Sequence, residues 1–99
     1  MTVSAACAVP TANASRYLAQ LCSHWRHKLA VEAEGDRARV VLLNDAVVTL
    51  EASPEAVKVA ITAGTPADMA AAKGTVTRHL DRFAWREAPL SFAWRDSAG

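Results

Sequence analysis

Side chains able to move a proton, hold a metal or grip an anion crowd into one short stretch, RYLAQLCSHWRHK, from Arg16 to Lys28. It contains Cys22-x-His24-x-x-His27, and a third histidine, His79, lies far along the chain. By residue type these are zinc ligands. Helical geometry opposes that use. At about 100° per residue, Cys22 and His24 stand roughly 160° apart around a helix axis. Cys22 then falls beside Leu18 and Trp25 on the apolar side. His24 and His27 are spaced i, i+3, whereas two histidines of a helical zinc motif are spaced i, i+4. The same geometry separates Cys22 as a nucleophile from His24 as its base. No metal site is assigned on these grounds, and no motif identifies a cofactor.

His24 and His79 are placed differently. Each lies on the flank of an apolar helical stripe: His24 beside Tyr17 and Leu21, His79 beside Ala72 and Phe83. If the two helices are neighbours, the imidazoles can meet in the groove between them. His24, His27, Lys28, His79 and Arg82 are the candidate lining of that groove. The plain alternative is that each histidine edges the core and bonds locally. Charge is also segregated. The first helical stretch carries Arg16, Arg26 and Lys28 with no acid between Thr11 and Leu29, while Glu32, Glu34, Asp36, Asp45, Glu51 and Glu55 fall in the central part of the chain. A basic groove suits an anion or an acidic partner surface.

The elements that must position these residues follow from periodicity. Thr2 to Val9 alternates as a strand that Pro10 stops. A helix capped by Thr11 or Asn13 runs to about Lys28, with its apolar stripe at Ala14, Leu18, Leu21, Cys22 and Trp25. Strands follow at Leu29–Glu34, Arg37–Leu43, Ala46–Ala52 and Ala56–Ala63, joined by short turns. Thr65-Pro66 with Asp68 opens a second helix, with its stripe at Met69, Ala72, Val76, Leu80 and Phe83 and its end at Ala88-Pro89. Leu90–Arg95 reads as a last strand. The order is β-α-β-β-β-β-α-β. The expected class is α+β: a two-layer sandwich in one domain, residues 1–99, with a mainly antiparallel sheet and two helices on one face.

A two-residue Asn44-Asp45 turn would pair Leu43 with Ala46 and Val41 with Val48. That register sends Val40, Leu42 and Val47 outward, a candidate homodimer surface.

Composition excludes several classes. The chain has 99 residues, net charge +1, 52% hydrophobic and 21% charged residues. That balance, with 6% aromatic content, argues against a nucleic-acid reader. No run of about 18 apolar residues exists, so no membrane span is expected, and no signal peptide is read at the start. The cytoplasm is the expected compartment. Cys7 and Cys22 are expected as free buried thiols rather than a bridge. No nucleophile elbow, phosphate-cradling glycine loop or convergent carboxylate pair is present, so no enzymatic activity is expected.

One repeat stands out: FAWRE at Phe83–Glu87 returns as FAWRD at Phe92–Asp96. In a helix Phe83 and Trp85 point to nearly opposite sides, with Phe83 toward the core, whereas in a strand Phe92 and Trp94 share a face. The copies are expected to differ in conformation.

Arg16-Tyr17, Leu21-Cys22-x-His24-Trp25-x-His27-Lys28, Thr49-Leu50-Glu51-Ala52 and His79-Leu80-x-Arg82-Phe83-Ala84-x-Arg86-Glu87 together resemble a family of small bacterial proteins, domain of unknown function 2218. The resemblance covers most of the chain in order. It departs at the third turn, where Asn44-Asp45-Ala46 replaces a glycine-bearing turn. The family is similar in being found alone or attached to siderophore-interacting flavin reductases, which implies an accessory role in iron handling with such a reductase as partner. It carries no catalytic residues over. The leading expectation is a non-enzymatic binding module tied to siderophore iron. The alternatives are a homodimeric interaction protein without a small ligand, and a metal or haem-iron binder through His24 and His79.

Overall fold

The computed structural model describes residues 2–98. Its elements are β1 (Val3–Pro10), α1 (Ala14–Trp25), β2 (Ala30–Glu34), β3 (Arg37–Val41), β4 (Val47–Ala52), β5 (Ala56–Ala63), α2 (Pro66–Phe83) and β6 (Arg95–Ala98). The strands form a single antiparallel sheet in the order β2-β3-β4-β5-β1-β6. This is the α+β sandwich expected from the pattern, with β1 inserted between β5 and β6.

Alternation decides which face is covered. Ala5, Cys7 and Val9 of β1 are buried while Ala6 and Ala8 are exposed, and Val57, Val59, Ile61 and Ala63 repeat this on β5. The helices supply the facing layer. Ala14, Tyr17, Leu18, Leu21, Cys22 and Trp25 are the buried stripe of α1, and Met69, Ala72, Val76 and Leu80 that of α2. Cys7 and Cys22 are free and buried. Thr65 caps α2 as expected, its hydroxyl accepting the Asp68 N–H at 3.0 Å with Pro66 in the first turn. Asn13 precedes α1 without a side-chain cap; the Thr11 hydroxyl instead accepts the Asn13 N–H at 3.1 Å.

Besides the end of α2, which falls at Phe83 rather than at Ala88-Pro89, with Ala84 N–H donating to the Leu80 carbonyl at 2.8 Å, three boundaries differ from expectation. First, α1 stops at Trp25 rather than near Lys28. The N–H groups of Lys28 and Leu29 both donate to the Trp25 carbonyl, at 3.0 and 2.8 Å, closing the chain into a turn. Second, the β3–β4 connection has three residues between its last bonded pair, not two. Leu42 N–H donates to the Ala46 carbonyl at 2.8 Å, and Val41 pairs with Val47 and Val40 with Val48. Asp45 takes the left-handed conformation at φ 66°, and the Asn44 amide spans from Ala46 N–H to the Asp68 carbonyl. A register shift of one residue flips every side chain. Val40 and Leu42 therefore point into the core, at 0% and 6% exposure, and are not a dimer surface. Of the three residues proposed for that role only Val47 points outward, half-buried beside Val41. Third, the last strand is Arg95–Ala98 rather than Leu90–Arg95. Asp81 accepts the Leu90 N–H at 2.9 Å, holding residue 90 beside α2 and off the sheet edge.

Candidate functional site

The two helices lie side by side over the sheet, and their adjoining flanks carry the histidines. His24, in the last turn of α1, has its ring centroid 5.4 Å from that of His79 in α2. Phe83 stands edge-on to His24 at 5.7 Å, and Trp25 lies 5.4 Å from His79. Trp25 is buried, His79 half-buried and His24 exposed, so the pair forms the solvent end of an aromatic wall rooted in the core. His79 Nδ1 is 2.7 Å from the Thr75 carbonyl oxygen one turn back. A carbonyl only accepts, so Nδ1 carries the hydrogen in that bond and Nε2 is the ring nitrogen facing away from it.

The electrostatics of the pair are one-sided. Desolvation lowers the pKa of His24 from its ordinary 6.5, and the charges of His79, Arg82, Lys28 and His27 push it in the same direction. The other four predicted groove residues all bear on His24 in this electrostatic sense. His27 and Lys28 lie in the turn that follows α1, and Arg82 in the last turn of α2. Among the described residues no group of three or more His, Cys, Asp or Glu comes together in a way that could hold a metal ion. Cys22 sits on the buried face of α1, and burial raises the pKa of its thiol.

A second constellation escaped the sequence reading. Glu87, in the turn after α2, accepts from the Thr11 hydroxyl at 2.9 and 3.0 Å, from the Asn13 side-chain amide at 3.2 Å, and from the buried Tyr17 hydroxyl. These donors hold its carboxyl below the usual range, the Tyr17 bond counting most, while the same bond raises the Tyr17 pKa. The signal was present in Tyr17: a core tyrosine needs a partner for its hydroxyl, and only the partner's identity was hidden.

The two pentapeptides differ in conformation, but each lies mostly outside its expected element: only Phe83 of the first is in α2, and only Arg95 and Asp96 of the second are in β6. FAWRE ends α2 and turns, leaving Trp85 68% exposed with the Arg86 guanidinium 5.0 Å from its ring centre. FAWRD enters β6, with Phe92 stacked on Trp94 at 6.1 Å, Lys73 over Trp94 at 5.6 Å, and Asp96 paired with Lys73.

On the opposite face the sheet is uncovered. A broad open trough of about 1300 Å³ has Ala6, Ala8 and Ala60 among its lining, with Arg39, Lys58 and Arg95 beside them. Its charges are mixed in sign: Glu32, Glu34 and Glu51 lie among the basic residues, with Arg37 paired to Glu51 at 3.0 Å and Arg39 to Glu32 at 3.6 Å. The histidines lie on the other side, with the helices.

The fold and its motifs have relatives. The NMR structure of PA4090 from Pseudomonas aeruginosa is similar, with a TM-score of 0.67 and 24% identity over 97% of this chain and 94% of that one. That likeness speaks to the fold. No match was found among curated proteins. Residues 6–95 match the family described as uncharacterized proteins conserved in bacteria. With that match spanning nearly the whole chain, the protein belongs to the bacterial DUF2218 family.

Proposed function

We propose that the protein is a non-enzymatic binding module that takes a small oxyanion at the groove between the helix ends, gripped by His24, His27, Lys28, His79 and Arg82. The observation that supports it is the 5.4 Å contact of two imidazoles whose acting neighbours are all basic. Bringing like charges together is unfavourable unless an anion or a proton balance offsets it. Arg82 and Lys28 beside the rings disfavour a metal cation in the same place, so the anion reading is preferred over metal or haem iron. The raised thiol pKa of Cys22 leaves the site without an activated nucleophile and supports a binding role over a catalytic one. The setting we propose is the cytoplasm, as an accessory to siderophore iron handling beside a siderophore-interacting flavin reductase. The family resemblance supports that setting.

The test is NMR titration with inorganic phosphate and with citrate at mildly acidic pH. Saturable shifts are expected at the ring protons of His24 and His79. Arg82→Ala, at an exposed position, should weaken binding about tenfold, the size of one charge-assisted hydrogen bond. Neither ligand shifting the rings, or both binding Arg82→Ala as well as the parent, would sink the proposal.

A further inference from the structure

We infer that the His24–His79 pair takes up protons as an anion enters the groove, so that this domain grips its ligand as pH falls through the imidazole range and releases it as pH rises. The inference rests on the anion-binding reading and adds its regulation.

His79 Nδ1–H is committed to the Thr75 carbonyl, 2.7 Å away. Neutral His79 therefore has a lone pair at Nε2, on the far side of the ring from that carbonyl. A lone pair repels an oxyanion; an N–H attracts one. Only the protonated ring can contribute a donor at Nε2. His24 faces the complementary problem. Its ring is 5.4 Å from that of His79, and Arg82 on α2 with His27 and Lys28 after α1 add positive charge around it. The rings of Phe83 and Trp25 also pack against the pair. In the empty groove desolvation first, and then the charges of His79, Arg82, Lys28 and His27, hold His24 toward its neutral form, and a proton on one ring opposes a proton on the other. An anion between the helix ends reverses the sign. It offsets Arg82 and Lys28, and it rewards a proton on either ring. Binding and protonation are then linked, each favouring the other.

The experiment uses sulfate, which keeps its charge across the range where histidine titrates. Calorimetric titrations in buffers of different ionisation enthalpy, from about pH 5.5 to about pH 7.5, report protons taken up per sulfate bound. Uptake of about one proton is expected near neutrality, with affinity falling about tenfold per pH unit for each proton linked. His24→Gln with His79→Gln keeps amide donors near the ring-nitrogen positions but cannot titrate. That double variant should still bind sulfate, with the uptake lost and the affinity flat in pH. Sulfate binding to the parent without proton uptake overturns the inference and leaves the anion site standing. Uptake that persists in the double variant overturns it too, by placing the proton on another group such as His27. No sulfate binding to the parent at the lowest pH overturns both readings.

Discussion

Glu87 ties the end of the second helix to the start of the first, and it does so with one carboxylate. Three side chains before or within α1 donate to it: Thr11, Asn13 and Tyr17. Tyr17 is buried, so its hydroxyl would otherwise lack a solvent partner. The sign of the pH effect follows from the direction of the shift. Glu87 has a folded pKa below its ordinary 4.5. The stability it contributes is present above 4.5 and is lost as pH falls through the folded value. Tyr17→Phe removes the leading cause of the shift. It should lower the melting temperature at neutral pH and flatten this part of the acid limb, as read by circular dichroism between about pH 3 and about pH 7. An unchanged acid slope in Tyr17→Phe would mean that the Glu87 cluster carries no such linkage. The tie also bears on the groove, because Phe83 and Arg82 lie in the last turn of α2, just before it.

At the scale of elements, the β3–β4 hairpin decides which side chains are core. Two valines adjacent in sequence test it directly. Val40 is fully buried and pairs with Val48, while Val41 is half-buried on the open face and pairs with Val47. Val40→Ala should cost about 2 kcal/mol, the transfer of a buried valine plus a small cavity, and Val41→Ala less than about 1 kcal/mol. Urea denaturation of both variants checks this. A reversed order would restore the two-residue turn and its outward Val40 and Leu42. The element order, the two helical stripes and the Pro66 start of α2 were legible because each is a local pattern with a strong physical cause. The hairpin was not, because Asn44-Asp45 fits both loop lengths. What selects the longer one is nonlocal: Asn44 bonds Asp68 of α2, and Asp45 accepts a left-handed backbone. The final strand failed for the same reason, since Asp81 holds Leu90 from another element. The approach of His24 to His79 could be anticipated from the flanks of two stripes. Glu87 could not, because all three of its donors lie seventy or more positions away in sequence.

The whole molecule is a covered sheet on one side and a bare one on the other, and its stability must come from the single covered side. The buried set runs without a break from Ala5 of β1 through both helices to Ala84, with Leu21, Ile61 and Leu80 the largest fully enclosed side chains. Leu21 belongs to α1 and is 0% exposed within that shared core. Removing its branch leaves a void that neither the helix nor the sheet can fill alone. Leu21→Ala should therefore cost about 2–5 kcal/mol. Against the 5–15 kcal/mol typical of a domain this is a large share, and it corresponds to a fall of roughly 10–20 °C or more in the melting midpoint for a chain of this size. Because the core is common to both layers, helix and sheet should melt together. Far-ultraviolet circular dichroism, dominated by the helices, and tryptophan fluorescence, read with Trp85 and Trp94 replaced by Phe so that buried Trp25 reports alone, should give one midpoint in the variant as in the parent. Two separated midpoints would show that the helical layer carries stability of its own, and the groove between the helix ends would then be able to open without the sheet.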